Sequence, residues 1–475
     1  MNRRIFAKQT ALGTMGLALS SQFALSQTSL KNFVSKRPPK QERLFTSESI
    51  EQVIKKVKKQ LKDPELAWLF ENCFPNTLDT TVFYKEENGR PLTHIITGDI
   101  NAMWLRDSTC QVWPYIPYTK KDKKLKKMVA GLINWQADCV LVDPYANAFK
   151  KDISEKTHWI NDITDMKDEL HERKWEINSL LFVIRLAYEY WKVTGDTQVF
   201  DDNWEKAMVL IYDTLKEQQR FESPGPYSFM RISQSANEVV ANNGYGRPTR
   251  KIGMIHATHR QDDACVFPLY VPDNLMAVVE LKHLAEMFEN IRNNKKHARL
   301  CLEMADQVDE AIKDYAIINH RVFGDMYAFE VDGYGSHILL EESTVPNLMS
   351  LPYVGACSVE DFVYQNTRKW LLSDWNPKFV RGKRDEGIGS THYAEPPKMI
   401  WPLSTISRAL TANNEDEILF CIEQLKRSNA GTGFIHESYL PDNPDKFTRP
   451  WFSWVNTYFG EMILILLKKH PELLS

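Results

Sequence analysis

Residues 176–193 read EINSLLFVIRLAYEYWKV. Ile177, Leu180, Leu181, Ile184, Tyr188 and Trp191 recur at steps of three and four, the period of an α-helix, and the run holds neither Pro nor Gly. The same period returns at 49–61, 125–142, 204–219, 274–291, 298–315, 401–410, 415–428 and 454–469. Ser47 ahead of Glu51, Asp201 ahead of Trp204, and Pro272-Asp273 ahead of Leu275 act as start signals. Strand-like pieces are few and short: TTVFY at 80–84, THIITG at 93–98 and MYAFEVDGYG at 326–335. They do not alternate with the helices, which disfavours a doubly wound sheet or a βα barrel. The predicted fold is all-α, a single domain of paired helices with long loops between pairs, and such loops are where chemistry usually resides.

The 475 residues, 43% hydrophobic and 11% aromatic, suffice for a large buried core. With 59 basic against 62 acidic residues the net charge is −3, so no basic field gathers nucleic acid or anionic lipid and an uncharged partner is expected. The basic run at 120–127, KKDKKLKK, reads as a solvated helix start. The N-terminus carries Arg3-Arg4, Phe6 and Lys8 before a weakly apolar stretch, the layout of a twin-arginine export signal over residues 1–26. Residues 27–46 are polar and proline-bearing and read as a tether, leaving 47–475 for the single helical domain. The protein is accordingly expected to be exported, to the periplasm of a bacterium. Its 7 cysteines are scattered without CxxC spacing and read as buried thiols rather than a disulfide framework. No later apolar run reaches the ~18 residues of a membrane span.

The unusual composition lies between the helices. Residues 93–117 hold Asp99, Trp104, Arg106, Asp107 and Trp113 in close succession. Carboxylates accept from vicinal hydroxyls, guanidinium groups donate forked bonds and indole faces stack on sugar rings, so this mixture suits a neutral polyol. The plainer alternative is a structural Arg106–Asp107 pair among core tryptophans. Similar mixtures recur at 143–149, 159–164, 172–179 and 386–402.

Two segments offer acids. HATHRQDDAC, His256 to Cys265, puts Asp262 and Asp263 before the apolar run 266–271, which is expected to desolvate a carboxyl and raise its pKa. NAGTGFIHESYLP places Glu437 after a glycine-rich turn. One protonated carboxyl for a leaving oxygen and one carboxylate for a water are the requirements of inverting glycoside hydrolysis. His256, His259 and Asp262 also have the spacing of a metal set, but HExxH is absent and the segment lacks helical period, so no metal and no cofactor is expected. Walker, GxGxxG and GxSxG signatures are absent as well.

GDINAMWLRDS (98–108), DPYANAF (143–149), YQNTRK (364–369), GIGSTH (387–392), GTGFIHES (431–438) and KFTRPWFSW (446–454) together resemble the blocks of glycoside hydrolase family 125, bacterial exo-α-1,6-mannosidases, in the family's order. The resemblance implies an (α/α)6 toroid, a metal-independent inverting mechanism and removal of terminal α-1,6-linked mannose from oligosaccharides or glycans. It puts the general acid on Asp262, with Asp263 orienting the loop, and the general base on Glu437. It adds a sugar-binding shell of Asp99, Trp104, Arg106, Asp107, Asn147 and His392, with Asp263 counted among the substrate-binding residues. One departure is His259-Arg260-Gln261, where family members tend to have Arg-Pro-Ser. Two other readings compete: a non-catalytic glycan-binding protein, and an (α/α)6 glycosidase of glucosidase or trehalase type.

Overall fold

The computed structural model describes residues 33–390, 392 and 398–475. The expected export signal lies outside the described residues. Fifteen helices follow in chain order among these: α1 (Glu48–Gln60), α2 (Pro64–Cys73), α3 (Asn76–Thr80), α4 (Leu105–Val112), α5 (Lys123–Val142), α6 (Ile177–Thr194), α7 (Asp202–Gln218), α8 (Val271–Asn290), α9 (Lys295–Tyr315), α10 (Leu351–Val354), α11 (Phe362–Leu371), α12 (Pro402–Leu410), α13 (Glu415–Ser428), α14 (Ser453–Lys469) and α15 (Pro471–Leu474).

Burial sorts the long helices into two kinds. In α9 the buried residues are Ala298, Cys301, Met304, Ala305, Val308, Ala311 and Ile312, a single stripe at helical spacing. In α4 every residue is buried, and in α8 and α14 the first half is buried on all sides. Helices covered all round belong in the interior. Accordingly α4 packs on α6, α6 on α8, α8 on α10, α12 on α14 and α14 on α4, while α9 covers α8, α13 covers α12 and α2 covers α14.

Start signals held in part. Ser47 and Asp201 cap α1 and α7 by accepting from Ile50 N and Trp204 N. The basic run is the solvated start of α5, capped by Asp122. Asp273 is no cap: it lies inside the first turn of α8, fully buried, and accepts from Asn178 N and Nδ2 across the core.

The expected strands at 80–84 and 93–98 form one antiparallel hairpin, Val82–Glu87 with Arg90–Ile95, closed by Asn88-Gly89 with φ of 51° and 80°. The third stretch divides: Gly324–Tyr327 pairs with Ile317–His320, and Glu330–Val331 with Leu269–Tyr270. A further three-stranded sheet, Ala102–Trp104, Ala148–Lys150 and Leu170–Glu172, has no sequence signal, because its strands are three residues long. All seven cysteines are unpaired, six of them buried. No described helix is long and apolar enough to cross a membrane.

Part of the stretch expected to be a tether is anchored, and the compact unit begins at Ser35. Arg37 donates to Asp79 (Nε to Oδ2, 2.7 Å) and to Glu51 (Nη1 to Oε2, 3.0 Å), and Phe45 is buried. Removing one partner of a buried pair strands the other charge. Arg37→Ala is therefore expected to lower stability by about 3–5 kcal/mol in urea denaturation followed by tryptophan fluorescence, and adding Asp79→Asn to recover part of the loss.

Candidate active site

The loops between the interior helices converge on a cleft of about 470 Å³. Asp99, Trp104, Arg106, Asp107, Asp262, His392 and Glu437 all line it, with Lys174, Gln261, Arg449 and Trp454. Asn147 and Asp263, also expected to touch substrate, do not line it. Asn147 is fully buried and its amide is committed: Nδ2 donates to Glu172 Oε2 (2.9 Å) and Oδ1 accepts from Lys174 N (3.0 Å).

Asp262 and Asp263 part because they fall at different points of a tight hairpin. His259–Arg260 pairs with Asp263–Ala264, leaving Gln261 and Asp262 as the two-residue turn, with φ of 49° and 78°. Two positive φ values are the signature of a type I′ connection, which favours Asn-Gly, the pair used at 88–89. Here neither residue is glycine, so the turn stores roughly 1–3 kcal/mol per residue, as strained functional sites do. The turn tip puts Asp262 in the cleft with its side chain 31% exposed, whereas Asp263 is 2% exposed and its Oδ1 stands 3.4 Å from His392 Nδ1. Arg260, part of the departure noted above, anchors the hairpin by ion pairs to Glu330 (3.1 Å) and Glu342 (3.5 Å).

The expected apolar pocket around Asp262 is not there. Val266 is 42% exposed and Val271 opens α8, so the run leads away from the carboxyl. Charged groups surround it instead: Arg106 Nη2 is 3.7 Å from Oδ2, Glu176 Oε1 accepts the backbone N–H (2.6 Å) and Lys174 Nζ donates to the carbonyl (2.7 Å). Around Arg106, burial pushes Glu176 up to about 7 and Asp107 up to about 6; the Arg106 charge offsets part of each rise and the Asp262 charge adds to it. Glu172 goes the other way: burial would raise it, but Lys174 and Arg231 outweigh burial and hold it well below the usual carboxylate range.

Glu437 is 4% exposed and accepts from Thr448 Oγ1 (3.0 Å) and Arg449 Nη1 (3.3 Å). Arg449 also grips Asp99, with Nε and Nη2 at 2.9 and 2.6 Å from Oδ1. Their two loops meet because Gly98, at φ 134°, lies where a Cβ would strike Trp451 O, and Asp99 N donates to that same carbonyl (3.1 Å).

The metal set considered from spacing is not assembled. His256 is held through Nδ1 by Gln218 O and through Nε2 by Thr249, and His259 faces Thr258. Among the described residues the single convergent group of three metal-ligating side chains is Glu415, His470 and Glu472, which are exposed or half-buried and do not line the cleft.

Residues 63–464 match the family of metal-independent alpha-mannosidases, GH125. The chain belongs to that family. A metal-independent alpha mannosidase of Streptococcus pneumoniae, in a non-productive complex with alpha-1,6-mannobiose, superposes with a TM-score of 0.85 at 37% identity, over 90% of this chain and 99% of that one. The meiotically up-regulated gene 157 protein of Schizosaccharomyces pombe is 40% identical over 458 residues, covering 92% of this chain and 89% of that protein. A bacterial glucoamylase complexed with acarbose shares the fold at a TM-score of 0.52 and 15% identity, over 78% of this chain and 49% of that one.

For this GH125 chain, sequence reasoning flagged the blocks at 172–179 and 446–454 but not Glu172, Lys174, Glu176 or Arg449 within them. A lone Glu or Arg carries no local signal, since each of these four has a partner 59 to 350 residues away.

His392 gives a measurable electrostatic signature. Its side chain is 38% exposed; partial desolvation opposes the cation, but the hydrogen bond to Asp263 and the charges of Asp263, Asp262 and Glu437 outweigh that and raise it to about 9. Because the folded value lies above the ordinary ~6.5, its contribution to stability is full below about pH 6.5 and is lost as pH rises through about 9. An NMR titration of the imidazole is expected to show a midpoint near 9, falling in Asp263→Asn.

Proposed function

We propose that this alpha-mannosidase removes terminal α-1,6-linked mannose with inversion, Asp262 acting as general acid and Glu437 as general base, within an (α/α)6 toroid. The observation that carries this reading is the pair's placement: a strained turn tip and a cation-clamped glutamate open into one cleft lined by Asp99, Trp104, Arg106, Asp107 and His392. The alternation of interior and covering helices supports the toroid, and the mannobiose held by the S. pneumoniae relative supports the linkage.

In this mechanism Asp262 gives its proton to the glycosidic oxygen as the C1–O bond breaks. Glu437 takes a proton from a water that attacks C1 from the opposite face, so the mannose leaves as the β anomer. Thr448 and Arg449 fix the orientation of Glu437 toward that water. Asp99 and Arg449, tied together, and Asp107 beside Arg106 offer carboxylates and forked N–H donors to sugar hydroxyls, with Trp104 and Trp454 as ring faces.

Proton NMR of α-1,6-mannobiose digestion, with chelator present, tests the proposal. β-Mannose is expected first, and Asp262→Asn and Glu437→Gln are each expected to lose on the order of 10²–10⁴ in turnover. α-Mannose appearing first, or no cleavage by the unsubstituted chain, would overturn it.

Arg449→Ala leaves Glu437 without its cation and Asp99 without its partner. The expected result is a fall of about tenfold or more in kcat on mannobiose, read in the same assay, with the far-UV spectrum unchanged.

A further inference from the structure

The Gln261-Asp262 turn pairs two positive φ values with two residues that do not favour them, so something must hold it. Three side chains do. Lys174 Nζ donates to Asp262 O, Gln261 Nε2 reaches Pro346 O and Tyr270 Oη, and Glu176 Oε1 accepts from Asp262 N at 2.6 Å. Of these, Glu176 alone also grips the cation paired with the Asp262 carboxyl. Its Oε2 accepts from Arg106 Nη1 at 2.6 Å, and Arg106 Nη2 is 3.7 Å from Asp262 Oδ2. One carboxylate therefore sets both the backbone of Asp262 and the cation beside its side chain.

Glu176 stands at the N-cap of α6, where Ser, Thr, Asp or Asn normally turns back to satisfy the helix's own amides. It makes no such cap bond. Its carboxylate reaches across to the hairpin instead, taking one further donation, from Ser179 Oγ at 3.3 Å. A local helix rule is broken in favour of a contact 86 residues away. Glu176 is fully buried and does not line the cleft, so it acts through Asp262 and not on a sugar.

We propose that Glu176 is a positioning residue for proton donation: by bridging Asp262 N–H and Arg106 it holds the strained turn in the pose that aims the Asp262 carboxyl at the leaving oxygen. The inference rests on the acid role proposed for Asp262. The bridge needs two acceptor oxygens on one side chain. Glutamine supplies only one, and its NH₂ would face a donor, so Glu176→Gln breaks the bridge with little change of volume.

The test compares two leaving groups. Mannobiose needs its leaving oxygen protonated, whereas fluoride departs from α-mannosyl fluoride without a proton donor. If Glu176 serves the acid, Glu176→Gln loses about 10²-fold or more in kcat on mannobiose, with KM changed only a few-fold, yet keeps fluoride turnover within about fivefold. Retained fluoride turnover also shows that the variant folds. Equal losses on both substrates, or no loss on mannobiose, overturn the inference. Should Glu176→Gln not fold, Glu176→Asp keeps the charge but withdraws it by one methylene, and is read by the same ratio. If the unsubstituted chain cleaves neither substrate, the mannosidase reading of the cleft fails, and the inference with it.

Discussion

One guanidinium organises the floor of this cleft. Arg106, buried in α4, directs Nη1 to Glu176, Nε toward Asp107 (3.3 Å) and Nη2 toward Asp262, and Nη1 also donates to Asn178 (3.1 Å), whose amide holds Asp273. A planar fork with fixed donor directions can serve several carboxyls at once, where an ammonium would be a point charge. Burial raises Glu176 and Asp273 to about 7, and the charge of Arg106 offsets part of each rise. The cluster joins α4, the start of α6, the start of α8 and the Asp262 hairpin, so the proposed chemistry and the interior packing share the same atoms.

This arrangement explains where the polar residues of an otherwise apolar interior are placed. The first turns of α4, α6 and α8 carry Asp107, Asn178 and Asp273 together, and α14 adds Trp454, over whose ring Arg106 lies at 5.8 Å. Facing first turns bring several loops to one opening, and short sheets such as Ala102–Trp104 with Ala148–Lys150 then set the side chains at its wall. Arg449, also in the cleft wall, links Asp99 to Glu437. The two proposed catalytic carboxyls thus rest on different supports: a strained turn held by an acid, and a short β-connection held by a base.

Much of the fold was legible because helical period is local. Apolar spacing located the long helices, and Ser47 and Asp201 marked their starts through contacts three residues away. Asp273 misled for the same reason, since a carboxylate at a helix start looks like a cap whether or not its partner lies across the core. Asp262 and Glu437 stood out as candidate acids in their own segments and took their proposed roles from the family resemblance, while the apolar surroundings expected for Asp262 are absent: charged groups lie around it. Glu176 stood as the first letter of the stretch that decided the fold and gave no sign of its role. Its partners, 70 and 86 residues distant, exist only once the chain is folded. The anchored segment near Arg37 was missed likewise, because composition shows polarity but not the ion pairs 14 and 42 residues on.

The central claim is that Asp262 and Glu437 face one another across the anomeric carbon of a bound mannose. A crystal structure of the Glu437→Gln variant with α-1,6-mannobiose measures this directly. The account predicts Asp262 within about 2.6–3.2 Å of the glycosidic oxygen, with the residue-437 side chain on the far face of the ring and roughly 6.5–9.5 Å between the two groups. A separation near 5 Å, the spacing of a retaining pair, or a sugar seated away from both groups, would contradict it.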